Sequence, residues 1–190
     1  MMVRTGNALR TFHDLGLAKS SRALGFTLVE LLVAIAVLAV FLGIAIPSYN
    51  EMILGSRLRA HANELVAGAV LARSEAIKRN SVVRMCVSVD GTSCIAGGWE
   101  QGWLVFHDVN DNGAINAGEA VLLRQKKATS GFKITGTVAS MRFQRTGVGA
   151  TAATLTVCRA TPSVGGQERI VNITATGRAS ISKTNAVSCS

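Results

Sequence analysis

The stretch GFTLVELLVAIAVLAVFLGIAIP, residues 25–47, is the most hydrophobic part of the chain and decides how its N-terminal region is organised. Between Phe26 and Ile46 it has 21 residues and a single charge, Glu30. A helix needs about 20 residues to cross the hydrocarbon core of a bilayer. Basic residues precede the stretch, and basic residues favour the cytoplasmic side. We therefore expect residues 26–46 to span a membrane, with the rest of the chain on the far side.

A short motif marks the junction between the polar N-terminus and this apolar run. Gly25 is followed by Phe26, a Thr-Leu pair and Glu30, and the run ends at Pro47. The pattern resembles the class III signal of type IV pilins and of the pseudopilins of type II secretion. The resemblance implies that residues 1–25 are a leader, that prepilin peptidase cuts after Gly25, and that the new N-terminus, Phe26, is methylated. Glu30 is then the fifth mature residue and Pro47 the twenty-second, as in the family.

Glu30 needs a physical reason to lie in an apolar segment. An unpaired carboxylate in hydrocarbon is costly, so an intramembrane acid indicates a function. When such helices pack into a filament, the amine of a neighbouring Phe26 would neutralise Glu30, which would then fix the axial position of each subunit. The alternative is an acid that only lies among the lipid headgroups. Pro47 removes a helix donor, so we expect it to kink the helix or to let it melt locally.

Beyond Pro47 the apolar period remains helical and later changes to that of strands. Apolar residues at alternating steps of four and three predict an amphipathic helix over residues 47–80: Leu58, Ala62, Leu65, Ala69, Ala72 and Ala76. After Asn80, short segments of period two alternate with glycine-rich turns, which predicts about seven strands. The sequence therefore predicts an α+β fold, in which a long N-terminal membrane-spanning helix continues into an amphipathic helix packed on antiparallel β-sheet.

The segment NELVAGAVLARSEAIKRNSVVRMCV, residues 63–87, narrows the resemblance to the GspH/FimT branch of the family. In this branch a similar ARSEAIKRN stretch and a following GW strand recur. The resemblance implies four parts: a leader at 1–25, a transmembrane and filament-core helix at 26–46, the amphipathic half of the pilin helix at 47–80, and a β-rich periplasmic domain at 81–190.

Positive charge is concentrated towards the C-terminus. From Val121 onward the chain has ten Lys or Arg residues and one acid. This distribution favours either a surface for phosphate or a solvated basic surface. In some FimT-like proteins a Gly-Arg-x-Arg stretch contacts DNA; here Gly177 and Arg178 match it, and Ser180 replaces the second arginine. The candidate site for double-stranded DNA therefore combines several basic residues: Arg178, Lys183, Arg145, Arg159 and Arg169.

The stretch DVNDNGAINAGE, residues 108–119, fits the calcium-loop pattern D-x-[DN]-x-[DN]-G-x5-E. The oxygen ligands would come from Asp108, Asn110, Asn112, the carbonyl of Ala114, Asn116 through water, and Glu119. The flanking segments are predicted strands rather than helices, and Asn, Asp and Gly also suit a hairpin turn. We prefer the turn and leave a weak calcium site open; no other cofactor is indicated.

Four cysteines follow the apolar segment, and none has a CxxC spacing, which argues against a zinc site. An even number in an exported domain favours two disulfides in an oxidising compartment. Three pairings are possible. We prefer Cys86 with Cys94 and Cys158 with Cys189, because each closes a short or moderate loop between predicted strands.

The sequence does not predict an enzyme, because His13, His61 and His107 have no recognisable nucleophile partner. The resemblance implies a minor type IV pilin, processed by prepilin peptidase and assembled with other major and minor pilins in or at the tip of a pilus. It would be a single-pass inner-membrane protein with a periplasmic C-terminal domain before it becomes part of the extracellular pilus. One alternative is a minor pilin that binds double-stranded DNA for transformation. Another is a minor pseudopilin of a type II secretion system.

Overall fold

The computed structural model describes residues 25–160, 168–184 and 189, so residues 1–24 of the predicted leader lie outside the described residues. The chain divides into two units, Met1–Gly43 and Ile44–Ser190. A long helix, α1, extends from Leu28 to Arg79. It is followed by a short 3-10 helix and eight strands among the described residues: β1 (Val83–Val87), the 3-10 helix (Trp99–Gln101), β2 (Trp103–His107), β3 (Val121–Gln125), β4 (Phe132–Gly136), β5 (Ser140–Phe143), β6 (Ala153–Arg159), β7 (Glu168–Ile173) and β8 (Ala179–Thr184).

The first unit contains the N-terminal part of α1. The apolar side chains of this part are exposed, and α1 has here a segment long and apolar enough to cross a membrane. α1 is continuous through Pro47, so the local melting that the proline predicts does not occur in this structure. Neighbouring turns therefore hold the helix together although the proline has no N–H to donate.

α1 ends in a Schellman turn that directs the chain into β1. The N–H of Asn80 donates to the carbonyl of Ile77, and the N–H of Ser81 donates to that of Ala76, both at 3.2 Å. Asn80 has a φ of 49°, the left-handed conformation that this motif requires. Asn adopts it more readily than other residues with a Cβ, which explains why the helical period stops here.

The predicted apolar stripe of α1 is confirmed as the face that packs in the core of the second unit. All six of its members are fully buried: Leu58, Ala62, Leu65, Ala69, Ala72 and Ala76. Gly68 lies beside this stripe, and a Cβ built there would be 2.5 Å from the ring tip of Trp103. The sheet can therefore approach the helix closely because the residues on this face are small. His61 lies at the edge of the face, with its ring 5.2 Å from that of Phe132.

The strands form two antiparallel four-stranded sheets. We call the sheet with strand order β3-β2-β1-β5 the first sheet, and the sheet with order β4-β6-β7-β8 the second sheet. Side chains of both sheets join the buried face of α1 in one core, among them Met85, Phe143, Leu155 and Val171. The predicted α+β class is confirmed. The division into two sheets was not predicted, because it depends on pairings between strands that are distant in sequence.

The outer face of the first sheet carries a second, smaller apolar cluster formed by Cys86, Leu104 and Phe106. Cys94 and Ile115 pack against it and come from the two long loops that follow β1 and β2. These loops therefore cover the face of the sheet that lies away from α1.

Candidate functional site

Three of the residues predicted to act in processing and assembly lie at the start of α1. Gly25 and Phe26 precede the helix, and Glu30 is in its first turn. The hydroxyl oxygen of Thr27 accepts a hydrogen bond from the backbone N–H of Glu30 at 3.2 Å. Thr27 is therefore the N-cap of α1, a role that we did not predict although the Thr-x-x-Glu spacing of a capping box is visible in the sequence.

Asp108 anchors the loop between β2 and β3 in which we considered a calcium site. The side chain is fully buried. Its carboxylate accepts hydrogen bonds from the backbone N–H groups of Asn112 and Gly113, at 3.0 and 2.9 Å, and forms an ion pair with Arg84. Asp108 is thus saturated with donors from the protein itself.

The other oxygens of this loop are used in a similar way. Glu119 accepts the N–H groups of Val109 and Asn116 at 2.8 and 2.9 Å. Burial raises the pKa of Glu119, hydrogen bonds from Asn116 and Val109 lower it, and the net shift is downward. Asn112 accepts the N–H of Ala114 at 2.8 Å. The side chain of Asn110 accepts the N–H of Asn112 at 3.2 Å. These contacts are those of a turn stabilised by its own Asx side chains.

Two arginines of the first sheet hold this loop against the sheet. Arg84 on β1 and Arg142 on β5 are directly opposite each other. Asp111 lies between them: its carboxylate is 2.9 Å from Nη2 of Arg84 and 2.6 Å from Nη2 of Arg142. Its bond to Arg142 is the main cause that lowers the pKa of Asp111, and the same bond raises the pKa of Arg142. We call the group of Arg84, Arg142, Asp108 and Asp111 the arginine clasp.

The arginine clasp bears directly on the calcium hypothesis. In a calcium loop the carboxylates point towards the metal, which supplies the positive charge. Here Arg84 and Arg142 supply that charge, and backbone N–H groups point at the carboxylates. The carboxylates of Asp108 and Asp111 thus have arginines of β1 and β5 as counter-charges, an arrangement expected of a structural turn.

The loop between β1 and the 3-10 helix is organised by Asp90. Its carboxylate accepts hydrogen bonds from the backbone and side chains of Thr92 and Ser93, at 2.7 to 3.0 Å, and these bonds hold the pKa of Asp90 well below its ordinary value. Arg124 of β3 donates to the carbonyl of Gly91 at 2.7 Å. We did not predict these contacts, although the Asp-Gly-Thr-Ser sequence is typical of a turn.

Both preferred disulfides are present. Cys86 is bonded to Cys94, which ties the first loop to β1, and Cys158 of β6 is bonded to Cys189. The described residues contain no free cysteine.

Two of the five residues proposed for DNA lie on neighbouring loops. Arg145 belongs to the loop between β5 and β6, and Arg178 to the turn between β7 and β8. The carbonyl of Ala175 accepts N–H groups of the former loop, at 2.8 Å. Arg73 of α1 donates to the carbonyl of Gly147 at 2.8 Å and therefore lies beside both loops. Arg73, Arg145 and Arg178 define what we call the basic end.

The other three proposed residues lie at the opposite end of the second sheet. Lys183 is exposed and pairs with Arg169 across β7 and β8. Arg169 is buried and donates to the carbonyl of Glu168 at 2.9 Å. The guanidinium of Arg159 lies 4.7 Å from the ring centre of Phe132. The five candidate residues are therefore divided between the two ends of the second sheet, and Arg169 points to the core side of its strand.

Comparisons with known proteins agree with this architecture. Residues 61–177 match the family model described as type II transport protein GspH, and residues 20–46 match the prokaryotic N-terminal methylation motif. The pilin-like protein PilA1 of Thermus thermophilus is 36% identical over 97 residues, which are 50% of this chain and 54% of that protein. The chain thus spans about half the length of this curated relative.

Two solved structures match the larger part of this chain. The type IV minor pilin FimU of Pseudomonas aeruginosa has a TM-score of 0.55 and 22% identity, over 71% of this chain and 96% of that one. The minor pseudopilin EpsH of Vibrio cholerae has a TM-score of 0.48 and 14% identity, over 67% of this chain and 97% of that one. The likeness to FimU is one of fold.

Proposed function

The chain belongs to the GspH family of type IV pilin-like proteins, and from that premise we propose that it is a minor type IV pilin. The observation that carries the proposal is the arrangement of the first 22 residues after Gly25: a methylation motif, a capped helix start, one acid and an apolar segment up to Pro47. A globular unit follows directly on the same helix. This arrangement suits a subunit that is anchored in a membrane and then enters a filament.

In assembly, the carboxylate of Glu30 would have to pair with a positive charge. Prepilin peptidase would release the amine of Phe26, which lies four residues from Glu30 and carries a positive charge until it is deprotonated. In a filament the carboxylate of one subunit and the amine of a neighbour would pair in an apolar environment. A subunit at the wrong axial step would leave both charges unpaired, at a cost of several kcal/mol.

Replacing Glu30 by Ala tests this proposal, with the amount of protein in sheared filaments as the readout. We expect the variant to be processed after Gly25, as mass spectrometry of its N-terminus would show, and to be depleted from filaments. Thr27→Ala is the matched control, because it removes the helix cap and keeps the charge. If Glu30→Ala enters filaments at the normal level, Glu30 does not fix the axial position. If both variants are depleted equally, helix capping explains the effect.

The location and partners follow from the same proposal. The positive charges before Gly25 would keep the N-terminus cytoplasmic, and the globular unit would fold in the periplasm, where two disulfides are stable. The partners would be prepilin peptidase, other major and minor pilins, and the inner membrane. The family consists of structural subunits, so we propose no catalytic activity.

DNA binding is a second candidate function, and the basic end is the observation that favours it. Arg73 adds to the basic end a guanidinium that we did not predict from the sequence. Arg169 is buried and does not belong to this surface. Phosphate binding needs summed positive charge and weakens steeply with salt. Mobility-shift assays on residues 50–190 should show binding at low salt that Arg178→Gln weakens. Lys183→Gln, at the opposite end of the second sheet, should have little effect. Absence of binding at low salt would exclude this function.

A pseudopilin of a type II secretion system would have the same architecture. Deletion of the gene separates the two assignments: loss of pili indicates a pilin, and loss of protein secretion with normal pili indicates a pseudopilin.

A further inference from the structure

The two sheets end in four edge strands, and β8 differs from the other three. An edge strand presents unpaired N–H and C=O groups that another chain can use, and proteins usually protect such edges. β4 is protected because its Ile134 N–H donates to the Glu100 carboxylate at 3.1 Å. β5 is protected because Arg142 exchanges hydrogen bonds with Thr151, at 2.9 and 3.1 Å. β3 pairs with β2 through an irregular register and is followed by Lys126 and Lys127.

Among residues 25–160, 168–184 and 189, no loop or side chain forms a hydrogen bond with the outward backbone groups of β8, and its register shows no irregularity. The strand has six residues in regular register with β7, contains no proline, and has one charge, Lys183. Four of its six residues, Ser180 to Lys183, are exposed, whereas β6 and β7 have only buried or half-buried positions. Ile181 is 39% exposed.

The hydrogen-bond pattern shows which groups of β8 face outwards. Thr174 N–H donates to the carbonyl of Arg178 at 3.0 Å, so these residues form a hydrogen-bonded pair at the turn. Antiparallel pairs alternate between bonded and non-bonded types. From the register of β7 and β8, the backbone groups of Ser180, Ser182 and Thr184 therefore bond to β7. Those of Ala179, Ile181 and Lys183 point to the open edge.

The C-terminal segment is tied to another strand. Cys189 is only five residues beyond Thr184, and its disulfide holds it to Cys158 on β6, two strands away from the open edge of β8. Cys189 itself is therefore held at β6 and does not lie along the open edge of β8.

We propose that the open edge of β8 is the docking site for an extended segment of a neighbouring pilin-like subunit, which adds to the second sheet as a fifth strand. This inference rests on the proposed function, since it requires a filament or tip complex. Main-chain bonds to Ala179, Ile181 and Lys183 would give affinity, and side-chain contacts would give specificity. Arg178 and Lys183 lie at the two ends of the strand, so the best partner has an apolar residue opposite Ile181 and carboxylates near its ends.

Proline substitution at Ile181 in the full-length, processed protein tests the proposal. Ile181→Pro removes an outward N–H and leaves the β7 bonds in place, as edge strands tolerate. Ile181→Thr keeps the N–H and the strand propensity, and is the matched control. Ser182→Pro removes a backbone hydrogen bond to β7 and serves as the control for a destabilised fold. Each protein is expressed in the source cells, and its amount is compared between membranes and sheared filaments.

We expect Ile181→Pro to lower the amount of protein in filaments about tenfold, which corresponds to the loss of one hydrogen bond. Its amount in the membrane and its unfolding midpoint should stay close to those of the unchanged protein. Ile181→Thr, which loses only an apolar side-chain contact, should be depleted much less than Ile181→Pro. Normal incorporation of Ile181→Pro would overturn the proposal. Equal depletion of both Ile181 variants at normal stability would also overturn it, because a side-chain contact would then be responsible. If the unchanged protein is absent from filaments, the proposed function itself fails, and this inference with it.

Discussion

Replacing Asp108 by Ala should strongly destabilise the second unit, because the carboxylate is buried and fully used. It accepts the N–H groups of Asn112 and Gly113 and pairs with Arg84. Each orphaned N–H costs about 1 kcal/mol and the charged bond about 1.5–3 kcal/mol. Arg84 keeps its bond to Asp111 at 2.9 Å, which limits the loss. We expect the free energy of unfolding to fall by about 4 kcal/mol, within the range for a broken buried ion pair.

Urea denaturation of residues 44–190 would measure this change. With a slope of about 2 kcal/mol per M, the midpoint should fall by about 2 M. Asp111→Asn is the matched control, because Asp111 belongs to the same arginine clasp, its side chain is 38% exposed, and Asn tolerates its φ of 59°. An ion pair in that position contributes about 1 kcal/mol or less. If both variants shift the midpoint by the same small amount, the burial of Asp108 does not determine the stability of the loop.

Three further predictions concern the turn of α1 and the loop between β2 and β3. Asn80→Ala should cost about 1 kcal/mol in thermal unfolding because of its positive φ, and Asn80→Gly should cost nothing; equal effects would contradict the Schellman turn. The pKa of Asp111 is lowered in the folded state, so its contribution to stability is present above the ordinary pKa of about 3.9 and is lost as the pH falls below it. The protection factors of the loop amides, which are corrected for the intrinsic pH dependence of hydrogen exchange, should therefore fall in acid, and should fall less in Asp111→Asn. Calorimetric titration of residues 44–190 with millimolar calcium should release no heat, because the oxygens of Glu119 and Asp108 already accept hydrogen bonds; a clear isotherm would restore the calcium site.

The parts of the fold that depend on local pattern could be predicted from the sequence. The stripe from Leu58 to Ala76 and the change of period after Asn80 are repeated signals, so α1 and the strands were found. Gly25, Phe26 and Glu30 belong to one short motif, so the family could also be recognised from the sequence. The capping role of Thr27 was readable from spacing alone but was overlooked.

The contacts that form the candidate sites depend on the register between strands, and this register cannot be read from the residue types at single positions. Arg84 and Arg142 are 58 positions apart in sequence, and only the pairing of β1 with β5 brings them together around Asp111. Arg169 looked like a free cation, but its place in β7 turns it towards the core. The open edge of β8 could not be predicted, because the order of strands in a sheet is a long-range property.

The bond between Cys158 and Cys189 changes how the second unit bears mechanical load. A pull on Cys189 enters β6 through the covalent link and bypasses the hairpin of β7 and β8. The hydrogen bonds between β7 and β8 are then not loaded one after another from the free end of the hairpin. With the disulfide reduced, the same pull would act on Thr184 and peel β8 from β7 first. Tension along the chain is therefore resisted at an inner strand, and the edge strand keeps its shape while force is applied.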